Sequence, residues 1–82
     1  MLKNDLTMLA RNIDDVVELY GIDRFKRIGD SAETVLDFGQ KMYKFLCVAT
    51  FQSRDTMKYL QVVYGVDYVY VSIYKYIKSK IV

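Results

Sequence analysis

The sequence predicts an all-α fold: a small antiparallel helical bundle of three main helices plus one short connecting helix, in a single domain over residues 1–82. Three observations carry this reading. Apolar side chains recur at alternating steps of three and four over long stretches, glycines stand where two stretches end, and nothing is available to pair with the one stretch that has strand character. The 82 residues leave room for one core. With 52% hydrophobic residues and 15% aromatic residues, there is apolar surface enough to fold it.

The first helix is read from Leu2, Leu6, Leu9, Ile13, Val16 and Tyr20, with Lys3, Thr7, Arg11, Asp14, Asp15 and Glu18 falling elsewhere. Gly21 should end it in a left-handed conformation, with Ile22 covering the last turn as in a Schellman motif. Asp23 then caps a short helix through Arg24, Phe25, Lys26, Arg27 and Ile28, which Gly29 should close.

Asp30 is the expected N-cap of the next helix, and Glu33, three residues on, completes the spacing of a capping box. The core face of this helix reads Val35, Phe38, Met42, Phe45 or Leu46, and Ala49. Asp37 stands four residues before Lys41, the favourable orientation for an exposed ion pair. Residues 45–51 are apolar on almost every side, so this half is expected at the centre of the fold. Gly39 is expected on the inner side, where it lets a neighbouring helix come close.

The last segment starts at Ser53 or Asp55. Tyr59, Val62, Val63, Val66, Val69, Tyr70, Ile73, Tyr76 and Ile77 then form one stripe at helical spacing. A strand period also fits residues 66–82, whose valines, isoleucines and tyrosines suit a sheet. Helix is favoured because a lone strand has no partner. Tyr20-Gly21-Ile22-Asp23 is echoed in Tyr64-Gly65-Val66-Asp67, which leaves open whether Gly65 divides the last helix and Asp67 caps a new one.

The net charge of +2 is too small to argue for a polyanionic partner, but its distribution is uneven. Acidic side chains dominate residues 1–23 and basic ones residues 52–82, so the two ends should attract each other across the fold. Cys47, the only cysteine, lies in an apolar run and reads as an inert, buried thiol. A single cysteine and no recognisable leader point to a cytoplasmic setting. Gln61, Asp67 and Lys75 interrupt the most apolar stretch and argue against a membrane span.

No catalytic, cofactor-binding or metal site is read from the chain. It has no histidine and no glycine-rich phosphate loop, which removes Ser-His-Asp, Cys-His and P-loop chemistry. The carboxylate pairs Asp14 with Glu18 and Glu33 with Asp37 fall on outer faces and read as solvated charges. Two surface features remain. Arg24, Lys26 and Arg27 form a cationic cluster suited to a phosphate or an acidic partner. Six of the eight tyrosines lie between Tyr59 and Tyr76, and Tyr64 and Tyr68 fall four apart on the polar side, where rigid amphipathic rings favour contact with another protein. The expectation is a non-enzymatic protein-interaction module, a homodimer among its forms, binding through the Tyr-rich C-terminal helix. The alternative is a small nucleic-acid binder using Arg24, Lys26, Arg27, Lys75, Lys78 and Lys80.

Overall fold

A computed structural model describes residues 1–81. Among them five helices follow one another, with no strand: α1 (Lys3–Tyr20), α2 (Ile22–Asp30), α3 (Val35–Ala49), α4 (Phe51–Tyr64) and α5 (Val66–Ile81). The fold class is all-α as expected, but the expected last helix is two. The strand alternative is set aside through Ile81; Val82 lies outside the described residues.

The sequence echo has a structural counterpart. Gly21 and Gly65 have nearly the same backbone, φ 86 and ψ 148 against φ 91 and ψ 158, a region that side chains other than glycine's rarely enter. Each donates its N–H to the carbonyl four residues back, Val17 at 2.7 Å and Gln61 at 3.0 Å. Neither takes the left-handed helical ψ of a Schellman ending, so the next helix starts at the very next residue. Asp23 and Asp67 lie in the first turns they follow, where the helix dipole favours an anion, and the caps are the glycines themselves.

Two other boundaries differ from the expected ones. Gly29 does not stop α2, which runs on to Asp30, and Asp30 does not cap α3. The cap is Thr34: its Oγ1 accepts the Asp37 N–H at 3.0 Å, while Asp37 Oδ2 accepts the Glu33 N–H at 3.0 Å. That exchange satisfies two donors at the helix start, which Asp30 would not reach. Further on, Thr50 is extended and its Oγ1 accepts the Ser53 N–H at 3.0 Å, so it ends α3 and caps α4 ahead of the expected start.

The core consists of Leu9, Ile13 and Val16 from α1, Phe25 from α2, Phe38, Met42 and Leu46 from α3, Met57 and Leu60 from α4, and Val69, Ile73 and Ile77 from α5. α3 packs most extensively against α5 and then α4. Gly39 permits the first approach, because a Cβ there would overlap the carbonyl oxygen of Tyr70. Phe38 meets Tyr74 edge to face at 5.1 Å between ring centroids, and Tyr43 meets Tyr70 at 5.6 Å. Phe45 is only half-buried, wedged between Tyr20 and Phe25, and Leu46 takes the inner place.

The largest departure concerns which way α4 faces. Read without a break at Gly65, Tyr59, Val62, Val63 and Val66 continue the inner stripe of Val69, Ile73 and Ile77. With the break, α4 sets its own rotation and buries Ser53, Thr56, Met57 and Leu60 instead. Val62 is then 86% exposed, and Tyr59, Val63 and Val66 are 41–50% exposed. Two residues of the expected centre also face outward: Val48, on the side of α3 away from Phe38, Met42 and Leu46, is 81% exposed, and Phe51, the first residue of α4, is 75% exposed.

Candidate interaction surface

Tyr64 closes α4, and the Gly65 joint brings it beside the start of α1. Its hydroxyl donates to the buried Asp5 carboxylate and accepts the Leu2 N–H at 3.0 Å. Asp5 holds the proton on Tyr64 and raises its pKa. Tyr68, one turn into α5, stacks on Tyr64 at 5.9 Å, and its hydroxyl accepts from the Met1 amine at 3.2 Å. The two tyrosines expected to meet a partner are therefore brought together, with their hydroxyls used inside the chain. The Tyr68 ring stays half exposed and lines a shallow hollow with Leu6 and Lys75.

A second tyrosine link lies farther along α1. Tyr76 donates to Asp14, with both carboxylate oxygens at 3.0 Å, and Lys80 Nζ stands 2.7 Å from Asp14. Burial, then the bond to Asp14, raises the Tyr76 pKa, and Asp14 raises that of Lys80. Among the described residues the acidic first segment and the basic last one do meet, at this one ion pair.

The cluster Arg24, Lys26 and Arg27 is exposed on α2. Arg24 is committed to packing: its guanidinium lies 5.3 Å from the Tyr20 ring centroid and 5.5 Å from that of Phe45. Among the described residues Lys26 and Arg27 pair with no carboxylate, nor do Lys75 and Lys78. The ion pairs there are Lys41 with Asp37 at 3.2 Å and Lys80 with Asp14. The Asp37–Lys41 pair is the one its spacing predicts. The Glu33 N–H, then Lys41, holds the Asp37 carboxyl below its usual range.

Cys47 is half-buried, and burial pushes its thiol pKa up, away from the thiolate that nucleophilic chemistry needs. Its neighbour Tyr43 donates to Gln61 Oε1 at 2.7 Å and is pushed up to about 12 by burial. Among the described residues no group of three or more Cys, Asp and Glu is placed to hold a metal ion. No helix there is long and apolar enough to cross a membrane.

What stands out is the outer face of α4. Phe51, Asp55, Lys58 and Val62 follow one another at steps of four, three and four, which puts them on one side of the helix, and all four are exposed. Arg54 lies 4.4 Å from the Phe51 ring centroid at one end, and Tyr59 and Val63 widen the stripe at the other. Sequence reasoning missed this face because it placed Val62 on a single stripe continuous with that of α5. The available signal was the echo at Gly65, which separates Val62 from the periodicity of α5.

No family model matches the chain, and no curated protein or solved structure matches it either.

Proposed function

We propose that the chain is a non-enzymatic protein-interaction module that binds through the outer face of α4 and its joint with α5. The observation that carries this is the exposure of Phe51 and Val62, 75% and 86%, on a helix whose opposite side is fully packed. Phe51 at one end of this face, and Val62 with Tyr59 and Val63 at the other, each lose favourable burial as long as the face meets water, which is what marks a contact surface. The half-exposed rings of Tyr59 and Tyr68 extend the apolar area around the joint. Tyr64 supports that area from beneath, with its hydroxyl held by Asp5. A single half-buried cysteine fits a cytoplasmic setting.

A photo-crosslinking residue placed at Val62 tests this reading. It should trap a protein partner, and the same residue placed at Lys26, on α2, should not. Equal trapping at the two positions, or none at either, would refute it.

A second reading rests on Lys26 and Arg27, exposed without a carboxylate partner among the described residues. With Lys75 and Lys78 they make the chain a weak nucleic-acid binder. Its affinity for oligonucleotides should then fall steeply with salt and vanish when Arg24, Lys26 and Arg27 are replaced together. No binding at low salt removes this reading.

A further inference from the structure

We propose that the partner on the outer face of α4 is a second copy of the chain, packed with its own α4 antiparallel across a two-fold axis. This deepens the interaction reading above and rests on it. The argument is the pattern of charge along the face. Phe51, Asp55, Lys58 and Val62 repeat with the spacing of a coiled-coil seam, apolar at both ends and oppositely charged in the middle.

A two-fold axis passing between residues 56 and 57 brings Phe51 onto the partner's Val62 and Asp55 onto the partner's Lys58, and the same two contacts recur by symmetry. Every position of the seam then meets its complement. A parallel arrangement in register sets Asp55 against the partner's Asp55 and Lys58 against the partner's Lys58, so like charges exclude it. Neither Asp55 nor Lys58 pairs within the chain among the described residues: Lys41 with Asp37 and Lys80 with Asp14 account for the ion pairs there. Both remain free for a partner. They are three residues apart on one helix and form no ion pair with each other, which leaves their attraction unsatisfied in the single chain.

The test is sedimentation equilibrium on the full chain over a range of concentrations, for the wild type, Asp55→Lys, Lys58→Asp and the double exchange Asp55→Lys/Lys58→Asp. The wild type should form dimers. Each single reversal should weaken dimerisation by about tenfold or more, since it sets like charges together twice across the axis. An equimolar mixture of the two single variants should regain association, because their charges complement one another. The double exchange should dimerise as the wild type does, which controls for any effect of the substitutions on folding. A wild type that stays monomeric throughout overturns the proposal. So does a dimer indifferent to both reversals, or a mixture that regains nothing. A monomeric wild type that still crosslinks another protein from Val62 overturns the second copy alone and leaves the interaction reading standing.

Discussion

The Tyr64 hydroxyl donates to the Asp5 carboxylate across 59 positions of the chain, joining the end of α4 to the first turn of α1. Asp5 is 7% exposed, so its charge depends on donors that the protein itself supplies. Tyr64→Phe removes the donor and leaves the carboxylate buried. It should lower the melting temperature by several degrees, as followed by circular dichroism. Tyr68→Phe should change it much less, because the Tyr68 side chain is half exposed.

Alkaline pH should loosen the same contacts. Tyr64, Tyr76 and Lys80 all have pKa values raised in the folded chain. Their stabilisation is therefore fully present below the unfolded values, about 10 for tyrosine and 10.4 for lysine, and is lost as pH rises through the higher folded values. Ultraviolet titration of the tyrosines should show Tyr64 and Tyr76 ionising late, and Tyr43 near 12. Tyrosines that all ionise together near 10 while the helical signal persists would contradict the two links.

The rotation of α4 makes a prediction opposite to the one its sequence suggests. Leu60→Ala or Met57→Ala should cost about 2–5 kcal/mol, as for fully buried aliphatic side chains. Val63→Ala, half exposed, should cost well under 1 kcal/mol. Chemical denaturation of the three variants ranks them directly.

That contrast shows where the sequence was legible. Helical periods within α1 and α3 identified Leu9, Ile13, Val16, Phe38 and Met42 as inward-facing, whereas Leu2, Leu6, Tyr20 and Val35, read on the same stripes but at or near the helix ends, are 40–71% exposed. Gly39 was likewise legible as a point of close approach to a neighbour. α4 was misread because one stripe of valines, isoleucines and tyrosines keeps helical spacing from Tyr59 to Ile77, and only a glycine at positive φ separates two helices of different rotation. The caps at Thr34 and Thr50 were missed for a related reason: Asp30, Ser53 and Asp55 are equally good caps on paper, and tertiary packing chose among them. Tyr64 and Tyr68 were located as a pair, but their hydrogen bonds to Asp5 and Met1 join opposite ends of the chain, which local spacing does not reveal.

Close packing at Gly39 should be the least forgiving feature of the fold. A methyl group there overlaps the Tyr70 carbonyl, a backbone atom that moves only with the whole of α5. Gly39→Ala should destabilise by roughly 1–3 kcal/mol, although alanine is the better helix former. A more stable Gly39→Ala protein would mean that α3 and α5 lie farther apart than the structure has them.

The central claim is that the outer face of α4 serves binding and is not part of the core. The most direct measurement takes the double variant Phe51→Glu/Val62→Glu, which sets like charges against each other across the proposed axis, and compares its thermal unfolding and its association with those of the wild type. Both positions are at least 75% exposed, so the account predicts an unchanged helical signal, a melting temperature within a few degrees at low concentration, and loss of association. Unfolding of the double variant, or association undiminished, would contradict it.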